Sequence, residues 1–177
     1  MNRDQLAGMI KQSAYLEGDF TLRSGKKSRY YLDKYRFETQ PAILRALGER
    51  FAGFITPHTT KIAGAELGGV ALAAAASLAG NKPFIIVRNA KKDYGTSNQF
   101  EGVLNVGDRV LIIEDIATTG GQVLEAAHAI TAAGATVERI VAVIDRQEGA
   151  RENIEQSGFV FDALFTSTDL GIGLKHD

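Results

Sequence analysis

The run Val110-Leu111-Ile112-Ile113-Glu114-Asp115-Ile116-Ala117-Thr118-Thr119-Gly120-Gly121 concentrates the chemistry of this chain. Its apolar first half, entered from the turn-like Val106-Gly107-Asp108, predicts a central strand covered on both faces. Glu114 and Asp115 follow at the strand's carboxyl end, where two anions are costly to bury unless they meet hydroxyls, a metal or water. They therefore belong at the mouth of a site. Thr118, Thr119, Gly120 and Gly121 add hydroxyl donors and a backbone without Cβ obstruction, and the residues from Gln122 to Ile130 read as a helix. A loop that enters a helix offers unpaired N–H groups and the positive end of the dipole to a phosphate. Spacing alone leaves phosphate binding and an ordinary strand-loop-helix unit about equally open, and the adjacent acidic pair favours a sugar phosphate.

The elements that must position these groups alternate along the chain. Residues 2–17 predict a helix, and a hairpin pairs 19–22 with 29–32 about a turn at Ser24-Gly25-Lys26. Pro41 opens a helix to about Phe54, Lys61 to Gly64 is a strand leading into an alanine-rich helix, and Pro83 to Val87 is the next strand. Strands at 137–144 and 159–165 flank a short helix over 151–157. Such alternation predicts a mainly parallel sheet flanked by helices, with ligands bound beyond the carboxyl ends of its strands. Glu66, Arg88, Asp115 and Arg146 each follow a predicted strand, so four segments converge on one edge of the sheet.

Bulk properties narrow the class. The 177 residues suit a single domain with a substantial core, 45% hydrophobic and 23% charged content is ordinary for a globular protein, and the net charge of −1 gives no general pull toward nucleic acid or anionic membranes. Any anion site must be made locally. Cysteine is absent, which removes thiolate nucleophiles and ligands and fits a cytoplasmic protein. The amino terminus leads into an amphipathic pattern and not an apolar signal core, and the apolar stretch Val70 to Ala79 is too short to span a bilayer.

The segment Val110 to Gly121 resembles the phosphoribosyl-diphosphate (PRPP) signature of type I phosphoribosyltransferases. Phe20 to Tyr31, Gly64-Ala65-Glu66-Leu67-Gly68-Gly69, Arg88 to Gly95 and Asp145-Arg146-Gln147-Glu148 narrow the resemblance to the orotate phosphoribosyltransferases. It implies an α/β type I phosphoribosyltransferase fold over residues 1–177 as one domain. An N-terminal hood of about 1–35 with a C-terminal part would join a core of about 40–165 and a flexible catalytic hairpin loop. It further implies transfer of a phosphoribosyl group from PRPP to orotate, Mg²⁺ held mainly by substrate and water, and a homodimer with shared active sites. A purine or other nucleobase phosphoribosyltransferase, or a non-catalytic PRPP-sensing regulator, are the rival readings. The near-neutral composition without an added nucleic-acid-binding segment disfavours the regulator.

The resemblance also assigns roles. PRPP would be bound by Arg23, Arg88, Lys92 and Tyr94 and along Glu114, Asp115, Ile116, Ala117, Thr118, Thr119, Gly120, Gly121 and Gln122. Glu114 and Asp115 would take the ribose hydroxyls, and the loop from Ala117 the 5-phosphate. Lys92, Arg88 and Asp115 would be the catalytic set, with Lys92 stabilising the leaving group from a loop that closes over the neighbouring subunit's site. Orotate would meet Thr118, Arg146, Tyr31 and Leu32, Arg146 suiting a carboxylate through its guanidinium fork. By composition alone, the loop after Arg88 is a solvated hairpin, the early basic turn is simply exposed, and Arg146 is a surface ion-pair member. Three positions depart from the family pattern: Asn89 where a second cation is frequent, Tyr94 where histidine is frequent, and Gly68 where some members carry lysine. Gly68 and Gly69 serve either a close backbone approach to pyrophosphate or tight strand-to-helix packing. His58, His128 and His176 match no site segment.

Overall fold

The computed structural model describes residues 1–21, 27–89 and 99–172. Helix α1, Arg3–Ala14, begins at Asn2, whose side chain accepts from the Gln5 amide while the Gln5 side chain returns to the Asn2 amide. The helix stops three residues before the sequence reading had it, because Tyr15 turns extended and opens strand β1, Tyr15–Thr21. That strand pairs antiparallel with β2, Lys27–Leu32, in a register that sets Tyr15 against Leu32 and Glu17 against Tyr30. The hairpin is thus longer than predicted on both strands.

A five-residue helix follows that the sequence reading left out: α2, Lys34–Glu38, capped by the Asp33 side chain accepting from the Tyr35 amide. Helix α3, Pro41–Ala52, has proline in its first turn as expected. Then come β3, Lys61–Ala65; α4, Gly68–Gly80; β4, Phe84–Val87; and β5, Phe100–Glu101, a two-residue strand absent from the sequence reading. The remaining elements are β6, Arg109–Ala117; α5, Gly121–Ala132; β7, Thr136–Asp145; α6, Ala150–Gln156; and β8, Phe161–Thr166. Asp115 lies inside β6 and not after it, whereas Glu66, Arg88 and Arg146 do follow their strands directly.

The large sheet has the order β5-β4-β3-β6-β7-β8, parallel throughout except for β5 on its edge. Side chains alternate between two cores, as a strand period of two requires. Leu111, Ile113, Val141 and Val143 join the core under α1, α3 and α4, while Val110, Ile112, Ile140 and Ala142 join the core with α5 and α6. From β3 the chain moves to β4 on one side and later to β6 on the other. The strand order reverses between β3 and β6, and such a switch point leaves a crevice outside the carboxyl ends of the two strands.

Candidate active site at the strand switch point

Glu114 and Asp115 stand on β6 at this crevice. The Asp115 side chain is only 4% exposed. One carboxylate oxygen accepts from the Ile116 amide at 2.5 Å, and the other accepts from Lys34 Nζ at 2.5 Å. Lys34 reaches it from α2. Burial, followed by repulsion from Asp115, pushes the Glu114 carboxyl well above the usual range, with Lys34 offsetting part of the effect. Glu38, also on α2, is buried with no partner on Oε1, and burial together with Asp115 raises it to about 8. Lys34 thus pairs with Asp115, and its charge also acts on the Glu38 and Glu114 carboxyls.

Across the crevice, Gly68 opens α4. A Cβ built there would lie 1.5 Å from Asp115 Oδ2 and 2.9 Å from Lys34 Nζ, so the glycine is what lets the ion pair lie against the helix start. Beyond Asp115 the chain leaves β6 through Ile116 and Ala117, which still belong to the strand, and only Thr118, Thr119 and Gly120 form the loop into α5. Gly120 holds φ 78°, and a Cβ on it would press to 3.0 Å from Ile154, so this turn is reserved for glycine. No side chain caps α5, which leaves its first-turn N–H groups directed at the crevice. Asn153 of α6 steadies the loop by donating to the Thr119 carbonyl at 2.9 Å.

Gln122, in the first turn of α5, donates to the Glu66 carbonyl at 2.8 Å and to Asn89 Oδ1 at 2.9 Å, and the Asn89 amide donates to Glu66 Oε1 at 2.9 Å. The ends of β3 and β4 and the start of α5 are tied together by that triangle. Asn89, the position with a missing cation, thus has a structural partner set of its own. Arg88 carries an ion pair with Glu101 at 3.3 Å, and its Nε is buried without a partner.

Arg146 follows β7, its amide held by the Ala117 carbonyl at 2.9 Å. Its side chain is 15% exposed; one Nη donates to Tyr30 Oη at 3.0 Å and pairs with Glu148 at 2.9 Å, and Nε is again buried without a partner. The guanidinium also lies 5.6 Å from the centre of the Tyr30 ring, which stacks on Tyr15. Strand alternation explains why it is Tyr30 that the hairpin brings here. Tyr31, one residue on, is 44% exposed and tilts against Phe20, and the Leu32 side chain is packed in the core. Of the residues expected at the site, Arg23, Lys92 and Tyr94 lie outside the described residues. His128 packs edge-on against Phe159, away from any of these groups.

The structure therefore brings Glu114, Asp115, Thr118 to Gln122, Arg88 and Arg146 to one edge of the sheet. It adds Lys34, Glu38 and Tyr30, for which sequence reasoning found no role. Only the Asp33-Lys34 pair after β2, an N-cap residue followed by a cation, hinted at α2.

A crevice at a strand switch point, floored by two adjacent carboxylates and closed by an uncapped helix start, defines a phosphate-sugar binding α/β enzyme. Residues 36–168 match the family described as the phosphoribosyl transferase domain. Orotate phosphoribosyltransferase of Methanocella arvoryzae is 45% identical over 97% of this chain and 98% of its own length. The Mycobacterium tuberculosis orotate phosphoribosyltransferase, solved with Fe(III) dicitrate, superposes with TM-score 0.85 at 30% identity, covering 96% of this chain and 99% of that one. The same enzyme solved with PRPP gives TM-score 0.79 at 29% identity over 96% and 99% of the two chains. The chain belongs to the phosphoribosyltransferase family and, within it, to the orotate phosphoribosyltransferases.

Proposed function

We propose that this protein transfers the 5-phosphoribosyl group of PRPP to a ring nitrogen of orotate, giving orotidine 5-phosphate and pyrophosphate in pyrimidine biosynthesis. The observation that carries the reading is the Glu114-Asp115 pair leading into the open amino end of α5 at the switch point, in a chain whose full-length relatives are orotate phosphoribosyltransferases. The related M. tuberculosis enzyme has been solved with PRPP bound.

In this transfer C1 of the ribose gains positive charge as its bond to pyrophosphate lengthens, so the protein must align the two reactants and stabilise departing oxyanions. Glu114 and Asp115 take the ribose hydroxyls. The backbone from Ile116 to Gln122 wraps the 5-phosphate, with the helix dipole of α5 behind it. Arg88, with Lys92, Tyr94 and Arg23, supplies cations and a phenol to the diphosphate, and Lys92 acts on the leaving group. Arg146 grips the orotate carboxylate, oriented by Tyr30 and assisted by Thr118, while Tyr31 and Leu32 contribute through their backbone beside it.

Mg²⁺ fits this donor set, which offers carboxylate oxygens and neither histidine nor thiolate at the crevice. Among the described residues no cluster of three or more His, Cys, Asp or Glu forms a ready cage, so the ion would be held mainly by substrate and water. When bound, it neutralises charge on the diphosphate. A cytosolic homodimer, in which the loop carrying Lys92 serves the neighbouring site, completes the proposal. Among the described residues no helix is long and apolar enough to cross a membrane.

Mixing the protein with PRPP, Mg²⁺ and, in separate reactions, orotate, uracil, hypoxanthine or adenine tests the reading. Loss of orotate absorbance with the other bases untouched is the expected result. Turnover of a purine in place of orotate would overturn it.

A further inference from the structure

We propose that Lys34 of α2 is a further PRPP-binding residue: its ammonium, lying between Asp115 and the start of α4, meets the diphosphate when PRPP enters the crevice. This inference rests on the proposed phosphoribosyl transfer and adds to it a cation presented from an element outside the signature.

Lys34 Nζ is 2.5 Å from Asp115 Oδ2 and would lie 2.9 Å from a Cβ on Gly68, the first residue of α4. The N-cap residue of that helix, Leu67, makes no side-chain cap, and the N–H groups and dipole of the helix start favour an anion. A cation beside the positive end of a helix is unfavourable by itself. Asp115 compensates it in the free protein, and a diphosphate would compensate both.

An ammonium has three donors. One is spent on Asp115, and among the described residues no other acceptor bonds to Nζ, which also lies 5.3 Å from the centre of the Tyr35 ring. With its side chain 30% exposed, Lys34 can hold Asp115 and still turn two N–H groups to a ligand.

PRPP would bring several negative charges to a crevice that already holds the Asp115 carboxylate, paired with Lys34. Arg88 and Arg146 stand over neighbouring strands, each in an ion pair of its own. Lys34 is the described cation that sits between β3 and β6, and Gly68 leaves the volume it needs.

Lys34→Gln and Lys34→Arg, with binding of magnesium pyrophosphate and of ribose 5-phosphate measured by calorimetry, separate a direct contact from an indirect one. A direct contact predicts that Lys34→Gln weakens pyrophosphate binding roughly 10- to 100-fold, raises the KM for PRPP comparably, and leaves the KM for orotate within about threefold, with Arg restoring most of the loss. Pyrophosphate affinity unchanged, with ribose 5-phosphate affinity reduced, would overturn the proposal, because Lys34 would then act only by orienting Asp115. Thermal unfolding of Lys34→Arg checks that the pair still folds. Absence of orotate turnover by the unsubstituted protein would instead refute the transferase reading, so the two failures are distinct.

Discussion

Glu38 illustrates how a single buried carboxyl can tie stability to pH. It is 2% exposed, its Oε1 has no partner, and burial first, then Asp115, hold its acid form up to about 8. Between the ordinary carboxyl range and that value, the folded chain keeps a proton the unfolded chain has released. Its contribution to stability therefore falls as pH rises through this window and levels off above it. Glu38→Gln removes the titration. The variant should match the unsubstituted protein near pH 4 and exceed it by about 2–4 kcal/mol near pH 8, a gap in Tm that thermal unfolding at the two pH values would read. Parallel stability curves would mean Glu38 ionises normally in the fold. At this scale the sequence was legible where chemistry is dense: Glu114 and Asp115, Thr118 to Gln122 and Arg146 could all be picked out. Lys34, Glu38 and Tyr30 could not, because their significance comes from contacts made across the fold, such as the reach of Lys34 to a carboxylate on another element.

Among the elements, α3 and α4 pack closely because Gly48 faces Ala75. A Cβ at Gly48 would lie 2.7 Å from the Ala75 carbonyl oxygen. Gly48→Ala should cost about 1–3 kcal/mol by overpacking, lowering Tm by roughly 2–4 °C per kcal/mol for a chain of this size. Gly8, in α1, has nothing within 4 Å of the same built atom, so Gly8→Ala should leave Tm unchanged or raise it slightly, about 1 kcal/mol at most. The two melting curves side by side check the packing account. Several long elements were readable to within a residue or two: Pro41 announced α3, and the Val/Ile runs announced β4 and β7, whereas α1 ended three residues early and β6 ran on through Ala117. The short ones were not. Five residues of α2 cannot show a helical stripe, two residues of β5 cannot show alternation, and nothing local marks Tyr15 as the point where a helix gives way to a strand. The start of α2 is fixed by the neighbouring Asp33 cap, whereas β5 and the turn at Tyr15 are fixed by pairing with β4 and β2.

For the molecule as a whole, strand-helix alternation sufficed to anticipate a parallel sheet with helices on both faces and a site beyond its strand ends. It did not anticipate that β5 would run antiparallel on the edge, nor which strands are neighbours, because those depend on how the connections cross the sheet. The order β4-β3-β6-β7-β8 in turn puts Gly68 and Asp115, far apart in the chain, across one narrow gap. That gap has an evolutionary reading. A side chain at residue 68 and an ammonium from residue 34 compete for a single volume beside Asp115. Substitution histories of the two positions should therefore be linked: lineages with glycine at 68 should retain lysine at 34, and those that place a lysine at 68 should be free to lose it. Aligning relatives at these two columns would test this, and independent variation would count against it. Charge at the crevice, on this view, is a quantity the lineage conserves while the residue that carries it migrates from one element to another.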